Sequence, residues 1–330
     1  MVDSFRINFF KRIFLRRECL LVLLIIVVNV INTNLSPYYL NVINLFDMTF
    51  NFMEKGFIVL IMALIMITGN IDISVASNIA MSSVVMAVSY QSGLNIVICI
   101  ILGLLTGTLG GFINGYLITK FRLSSIVVTL GTMSLYRGIP FIILGDQAVT
   151  KFPEGFAYIG QGYIGDTLIP FQLVVFIILA VIFSLLLHKT TFGRHIYSIG
   201  TNENACRYSG VPVDSIKLKI FAISGFLSAL AAIFLTSRIG VSRPSIALGY
   251  ELEIITIVVL GGVSMYGGEG TIPGVVLSLF LVGFVRYGLS LKNVPASMIV
   301  IIIGLVLIFS VMIPNVLNEF NINKKLKRRA

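Results

Sequence analysis

Residues 20–28, Leu20-Leu21-Val22-Leu23-Leu24-Ile25-Ile26-Val27-Val28, form an unbroken apolar run near the start of the chain. A strand of a membrane barrel alternates between lipid-facing and lumen-facing positions in segments of about ten residues. This run does not alternate. Continuous hydrophobicity of this kind suits a helix in lipid. Comparable runs recur along the chain, several near 20 residues, and each can cross ~30 Å of hydrocarbon at 1.5 Å per residue. The composition agrees: 57% of residues are hydrophobic, 12% are charged, and the mean hydropathy is +1.00. These values lie far outside the soluble globular range.

The expected fold is therefore all-α, a polytopic membrane protein with about ten transmembrane helices. The spans read as Glu18–Asn34, Phe50–Thr68, Ile73–Tyr90, Leu94–Ile118, Leu123–Leu144, Leu168–Leu187, Ile216–Thr236, Leu252–Met265, Ile272–Leu291 and Val294–Val316. The second carries Glu54 and Lys55 near its start. The eighth is short and runs into Gly267-Gly268-Glu269-Gly270. Either can be broken or re-entrant, which is tolerated where protein or a wet cavity covers the backbone. The first span follows Arg6, Lys11, Arg12, Arg16 and Arg17 as a signal peptide would, but no small-residue cleavage site comes after it, so a retained span is expected. One transmembrane domain, residues 18–316, then lies between basic tails at 1–17 and 317–330.

Charge placement orients the chain. With the N-terminus inside, 17 basic residues fall on the cytoplasmic side: the five just named, Lys120, Arg122, Lys189, Arg194, Arg207, Lys217, Lys219, Lys324, Lys325, Lys327, Arg328 and Arg329. Lys55, Lys151, Arg238, Arg243 and Lys292, 5 in all, fall outside. This asymmetry predicts that both termini are cytoplasmic. It also explains the net charge of +10 without nucleic acid as a partner. Residues 145–167 become the external loop, and residues 188–215 a cytoplasmic one.

The cytoplasmic loop contains a polar island, Thr190 to Asp214, TTFGRHIYSIGTNENACRYSGVPVD. Within it Asn202-Glu203-Asn204-Ala205-Cys206-Arg207-Tyr208-Ser209-Gly210-Val211 reads as a short helix closed by glycine. Asn and Glu suit its start and glycine its end. A short helix in a polar loop is a docking element more often than a catalytic one.

Other signals are weighed against plainer readings. Asp72, in Thr68-Gly69-Asn70-Ile71-Asp72-Ile73-Ser74, is either a substrate or proton site or, more simply, a cap for the following helix. Arg137 lies within a span, where it can meet a hydroxylated solute or, as the preferred reading, pair with Glu251 or Glu253. Those two acids flank a span end, where solvation is normal. The glycine-rich run Leu260 to Gly274 lacks the Gly-Lys-Ser/Thr of a phosphate loop and reads as a tight hairpin. A partial echo between residues 130–138 and 260–268 is no more than chance gives in a chain so rich in Leu, Gly and Ser. Cys19, Cys99 and Cys206 suggest no disulfide framework, and His188 with His195 is too little for a metal site. No nucleotide-binding motif, nucleophile elbow or HExxH sequence is present, so catalysis on this polypeptide is not expected.

Three motifs together resemble the permease subunit of bacterial ABC importers for monosaccharides, the branched-chain amino acid/ribose-type membrane-component family. Gly69-Asn70-Ile71-Asp72-Ile73-Ser74-Val75-Ala76-Ser77 is similar to the family's Gly-Gly-Ile-Asp-Leu-Ser-Val-Gly-Ser, with Asn70 and Ala76 in place of glycines. Phe192-Gly193-Arg194 through Gly200-Thr201-Asn202-Glu203-Asn204-Ala205-Cys206-Arg207-Tyr208-Ser209-Gly210-Val211 resembles its coupling segment, with Cys206 where alanine is common. Val258–Gly274 resembles its glycine-rich segment. The likeness runs in order over residues 50–315.

That resemblance implies a place in the bacterial inner (plasma) membrane, among lipid, and no cofactor on this chain. ATP and Mg would reside on two partner ATPase subunits. A second permease copy or paralogue would complete the pathway, and an extracytoplasmic sugar-binding protein would deliver a sugar-like solute. Gly193, Arg194, Asn202, Glu203, Ala205, Cys206 and Gly210 would couple to the ATPase, and Asp72, Asn78, Tyr136 and Arg137 would attend the solute pathway. Leu135-Tyr136-Arg137-Gly138-Ile139 and residues 145–153 look more like the autoinducer-2 and rhamnose-type branch than the plain ribose permeases, with a lean to autoinducer-2 import permeases of the D type. The alternative is an ion-coupled secondary sugar transporter. It would need paired intramembrane acids and no docking helix.

Overall fold

The structure, a computed structural model, describes residues 17–295 and 297–305, together with residues 308 and 312. Residues 1–16 of the expected tail at 1–17, the expected tail at 317–330 and most of the second half of the tenth expected span lie outside the described residues. The described part is built of helices, with two isolated bridges, Val149 with Ser242 and Tyr163 with Pro170.

In chain order the helices are α1 (Arg17–Leu35), α2 (Val42–Asp47), α3 (Met53–Ile67), α4 (Val75–Gln91), α5 (Ile96–Lys120), α6 (Ser125–Leu144), α7 (Glu154–Gln161), α8 (Phe171–Lys189), α9 (Thr191–Thr201), α10 (Glu203–Tyr208), α11 (Val213–Ile239), α12 (Tyr250–Leu260) and α13 (Ile272–Ser290). Residues 297–305 are also helical. Helix α3 is the centre. All 15 of its residues are buried, and α8, α9, α11, α12 and α13 surround it. Its sequence is apolar on every side beyond the first turn, and a helix of that kind belongs in a core rather than at an edge.

Among the described residues six helices have the length and hydropathy of membrane spans: α1, α5, α6, α8, α11 and α13. The ten-span reading needs adjustment at three places. The second expected span is bent by 57° at Phe52, between Val42–Asn51 and Met53–Ile67, and the pair would be a seventh span if counted as one. At the bend Phe52 packs edge-on against Phe280, and its ring lies against Gly283, where any Cβ would collide with it. The third, α4, has 17 residues. The eighth, α12, has only 11 and reaches about 16 Å at 1.5 Å per residue. The external loop read over 145–167 also contains helix α7, fastened to α11 where Ser237 Oγ donates to Phe156 O and accepts from Gly160 N.

Five charged groups gathered at the N-terminal end of α3, Glu253 among them, overturn the reading of Glu253 as a solvated span end. Lys55 Nζ lies 2.9 Å from both Glu253 oxygens and 4.2 Å from the Tyr250 ring centroid. Arg286 donates to the same carboxylate at 2.8 Å. Glu54, 1% exposed, accepts from Arg238 at 3.0 Å and Gln172 at 3.1 Å. Buried charges persist only when paired in this way. These contacts join α3 to α8, α11, α12 and α13.

At its other end α3 stops in a glycine motif. Asn70 N–H bonds to Ile65 O and Gly69 N–H to Met66 O, with Gly69 at φ +74. This pair of bonds returns two orphan carbonyls to the hydrogen-bonded set, and the left-handed residue is glycine because a Cβ is strained there.

The longest helix, α11, crosses α5 on a stripe of small residues. Gly103, Gly107, Gly111 and Gly115 recur every fourth position of α5; Gly225 and Ala229 of α11 face Gly107 and Gly111, Leu218 and Phe221 face Gly115, and Gly103 lies instead against Ser82 and Met86 of α4. A Cβ at Gly225 would overlap the Gly107 carbonyl, and one at Gly111 the Phe221 carbonyl. In lipid, where apolar burial gives helices little drive to associate, backbone approach of this closeness supplies the packing. Gly225→Leu is therefore expected to cost more than the ~1–3 kcal/mol of ordinary overpacking, since backbone rather than side chain is in the way. Gly131→Ala, which faces open space, should be neutral or slightly stabilising. Heating the purified protein and measuring the fraction still monodisperse tests both; equal melting of Gly225→Leu and the parent would refute the seam.

Candidate functional site: a helical segment seated on the end of the central helix

The polar island folds as two helices, α9 and α10, at the C-terminal end of α3. Thr190 caps α9 by accepting from Gly193 N at 3.3 Å, and Asn202 caps α10 by accepting from Ala205 N at 3.0 Å. Helix α10 ends as its sequence indicates: Val211 N–H bonds to Cys206 O and Gly210 N–H to Arg207 O, with Gly210 at φ +80. Ser, Thr and Asn at starts and glycine at stops satisfy terminal groups that the helix itself cannot.

Helix α9 is two-faced. Gly193, Ile196 and Ile199 are buried, whereas Thr191, Arg194, Ser198 and Thr201 are exposed along one side. The buried side makes backbone-to-backbone contact. A Cβ on Gly200 would overlap the Ile67 carbonyl and crowd Gly268 N, and one on Gly193 would overlap the Leu187 carbonyl. Gly268 N–H donates to Ile67 O at 2.8 Å, and Tyr197 OH donates to Gly270 O at 2.6 Å. Gly267 stands against both Gly200 O and Gly69 N. Three segments far apart in the chain, around Gly69, Gly200 and Gly267, thus meet at the end of α3. The glycine-rich run is the tight hairpin expected, between α12 and α13, with Gly262, Gly267, Gly268 and Gly270 all at positive φ.

Helix α10 is fixed by charge. Glu203 accepts from Arg207 Nη2 at 2.9 Å and from Lys217 Nζ at 2.7 Å, and Arg207 also grips Asp214 through both terminal nitrogens. Burial alone would push the Glu203 carboxyl up. The hydrogen bonds and charges of Lys217 and Arg207 outweigh that and hold it below its ordinary 4.5. Asp214 and Lys217 open α11, so this network binds α10 to the start of that helix.

Of the residues expected to couple to a partner, Arg194, Asn202, Ala205 and Gly210 are exposed and Glu203 is half-buried. Gly193 and Cys206 are buried; their contribution is to seat the segment. Tyr208 at 93% exposure and Tyr266 at 95% stand out from the same end of the molecule. Tyr197, Gly200, Lys217 and Gly268 went unmarked as site residues. Only contact across the chain distinguishes them, although Gly200 stood within a quoted motif.

The expected pathway residues lie elsewhere. Asp72 is 2% exposed; its Oδ1 accepts from Ser74 N at 3.0 Å and Ser74 Oγ at 2.7 Å, and its Oδ2 accepts from Ser224 Oγ at 2.9 Å. Asp72 is not the cap of α4 in the strict sense, since the N-cap is Ser74; its bonds to Ser74 N and Oγ hold the turn that leads into that helix. Asn114 continues the chain by donating to Ser74 Oγ at 2.8 Å. Tyr136 OH donates to Gly110 O at 2.8 Å and lies 3.3 Å from Asn114 Oδ1. Asn78 donates to Gly107 O at 3.0 Å. These three residues sit in the contacts among α4, α5, α6 and α11. Arg137 departs from the preferred reading. It makes no ion pair among the described residues, and its Nη1 donates to Pro244 O at 2.9 Å and Ile246 O at 2.8 Å. Glu253 is unavailable to it because Lys55 and Arg286 occupy that carboxylate. Among the described residues no group of three or more His, Cys, Asp or Glu is placed to hold a metal ion.

Six apolar helices of span length around a buried central helix define the class, a polytopic α-helical membrane protein with a polar helical segment at one end. The chain belongs to the family described as branched-chain amino acid transport system / permease component, whose model matches residues 44–311. It is similar to the ribose import permease protein RbsC of Bacillus subtilis (strain 168), 36% identical over 295 residues, 89% of this chain and 90% of that protein. It is similar also to the autoinducer 2 import system permease protein LsrD of Escherichia coli (strain K12), 34% identical over 302 residues, 90% of this chain and 91% of the relative. The same-named protein of Yersinia enterocolitica serotype O:8 / biotype 1B (strain NCTC 13174 / 8081) is 35% identical over 267 residues, 80% and 81% of the two chains. No solved structure matches the chain. It is a multi-pass permease of the bacterial inner membrane. Nothing in these relationships favours ion-coupled transport.

The charge network on α10 gives a pH test. Because Glu203 is held below its ordinary 4.5, its contribution is whole above that pH and is lost as the pH falls through the lower folded value. Hydrogen exchange over residues 203–210 should show an acid step that begins below pH 4.5 in the parent. In Glu203→Gln, protection should be several-fold lower already at neutral pH, without the step. Equal protection in parent and variant at neutral pH would refute the network.

Proposed function

We propose that the chain is the transmembrane subunit of an ABC importer for a monosaccharide-like solute, driven by ATPase subunits that dock on α9 and α10. The observation that carries this reading is the seat of Gly200 on the Ile67 carbonyl. A helix whose outer face is polar and exposed is joined by backbone contact to the end of the buried central helix. Force applied to that face has a short, stiff route into the membrane core. An ATPase groove that changes spacing with its nucleotide is the kind of partner such a route serves. Arg194, Asn202, Ala205 and Tyr208 would touch it, with Glu203 and Gly210 holding the shape and Gly193 and Cys206 the seat. ATP and Mg belong to that partner.

The ten-passage arrangement with both termini cytoplasmic, a single domain over 18–316 and basic tails, is part of the proposal. The 17-to-5 distribution of basic residues supports it. In this reading α4 and α12 are short passages that neighbouring helices shield, and residues 294–316 supply the tenth. A second copy or paralogue and an extracytoplasmic binding protein complete the assembly. For the solute, ribose and autoinducer-2 are the named cargoes of relatives at nearly equal identity. Autoinducer-2 is a small furanosyl compound close to a pentose, so we infer a solute of that shape. Asp72, Asn78 and Tyr136 would act as the framework of the pathway, and Arg137 near its outer side.

The test is uptake of labelled ribose and of autoinducer-2 by vesicles that contain this chain, its candidate ATPase and the binding protein. Uptake should require ATP. Asn202→Ala combined with Glu203→Ala should lower it at least tenfold together with ATPase recruitment, since a cap alone is worth ~1 kcal/mol and the charged bonds add to it. Uptake indifferent to ATP but abolished by collapse of the proton gradient would reverse the reading.

A further inference from the structure

The segment Val241–Leu248 lies between α11 and α12, at the end of the molecule away from α9. Glycines at positive φ bracket it, Gly240 at +71 and Gly249 at +85, and in each case a Cβ would meet nothing within 4 Å. Gly240 N–H bonds to Thr236 O and Gly249 O accepts from Glu253 N, so the two glycines mark the helix ends on either side of the segment, and glycine is the residue with the widest choice of backbone angles at such a point. The segment walls a cleft of about 470 Å³, a volume within the range of small-molecule sites, roughly 300–1,000 Å³. Its other walls are Leu235 and Ile239 of α11 and Tyr250 of α12.

Two grips hold the segment down. Near its start Ser242 exchanges two backbone bonds of 2.9 Å with Val149, and its hydroxyl lies 2.7 Å from Ser83 Oγ on α4. At its middle Arg137 reaches across from α6 to the Pro244 and Ile246 carbonyls, with Ala247 immediately beyond at φ +58. A guanidinium inside a membrane span is costly to keep, and it is held there by pairing with another charge or with backbone carbonyls. Arg137 has no acid within ion-pair distance among the described residues, Glu251 attracts it only at longer range, and its hydrogen bonds go to two neutral carbonyls of the loop. Neutral acceptors hold a cation less firmly than a carboxylate does, so the grip is one that can open and re-form.

Resting on the orientation given above, we propose that Arg137 is the positioning residue of an outer gate. The gate is the segment Val241–Leu248, which turns about Gly240 and Gly249, and Arg137 latches it over the cleft in the state seen here. Solute on its way from the outer face enters the cleft when the two carbonyls leave the guanidinium. Arg137 then acts on the route by holding the wall of the entry and touches no solute itself.

Ala247 reads the latch directly, because it is 8% exposed and lines the cleft. In vesicles of known sidedness, an Ala247→Cys chain is labelled by a membrane-impermeant maleimide from the outer face, against the background of the native cysteines. With Arg137→Met the labelling rate should rise about tenfold, the factor that corresponds to ~1.4 kcal/mol of lost latch. Arg137→Lys, which retains a cation with three donors, should fall between. An unchanged rate in Arg137→Met that is inserted and monodisperse would overturn the proposal. A Val149→Cys, Ser242→Cys pair keeps Arg137 native and covers the case in which Arg137→Met does not insert. Hydrogen-bonded antiparallel partners sit about 5.5 Å apart at Cα, within disulfide reach. Oxidation should stop ATP-dependent uptake and reductant restore it; undiminished uptake through the cross-linked chain would overturn the gate. The labelling needs neither ATPase nor solute, so an absence of uptake in the parent counts against the importer reading alone. Labelling of exposed Tyr208→Cys from outside, in place of exposed Ser245→Cys, would overturn the orientation and the gate with it.

Discussion

A helix with no exposed residue has to settle its terminal polar groups inside the protein, and in α3 that requirement shapes both ends of the molecule. Four amide groups at the start and four carbonyls at the finish of any helix have no partner within it. In a membrane core water does not make up the shortfall. At the finish, Gly69 turns the chain so that Asn70 and Gly69 answer Ile65 and Met66, and Gly268 N–H takes the Ile67 carbonyl. That last bond comes from a segment 200 residues further along the chain, and Gly200 closes over it. The seat of α9 is thus a by-product of finishing α3.

The start of α3 meets the same requirement with charge. Glu54 and Lys55 open the helix as a buried carboxylate and a buried ammonium, answered by Arg238 on α11 and by Glu253 on α12 together with Arg286 on α13. Such pairs add little to net stability beyond offsetting their own desolvation, but each fixes its partner helix in register. Removal of one partner leaves a charge stranded. The arrangement explains why α12, too short to cross the membrane alone, holds a defined place: it is gripped at its first turn by Lys55 and at its last by the glycine hairpin.

Local features were legible in the sequence and distant ones were not. The boundaries of α10 could be read because Asn202 and Gly210 act within five residues of the groups they cap. Asp72 could be read as serving the next helix for the same reason, since Ser74 is two residues away. Apolar runs such as Leu20–Val28 disclosed the helical membrane fold. The number of passages was less legible, because α4 and α12 are shorter than the length a lipid-facing span requires. The partner of Arg137 was misread because pairing with an acid is the common solution, and nothing local reveals that Lys55 and Arg286 already occupy Glu253. Likewise the identity of Gly200 as a seat depends on Ile67 and Gly268, which no window of sequence contains.

The two ends of α3 differ in the kind of bond that holds them, and the difference bears on how motion would pass along it. Backbone contact without side chains, as at Gly69, Gly200 and Gly268, leaves no rotamer to absorb a displacement; a shift of α9 must move α3 or break hydrogen bonds. Ion pairs at the far end have longer arms, and Lys55 and Arg286 can follow Glu253 through a small movement without releasing it. A rod fixed rigidly at one end and flexibly at the other passes displacement from the rigid end and tolerates rearrangement at the flexible one. The stiff attachment therefore lies on the side of the polar, exposed helices, and the yielding one on the side of the glycine-bracketed segment and its cleft.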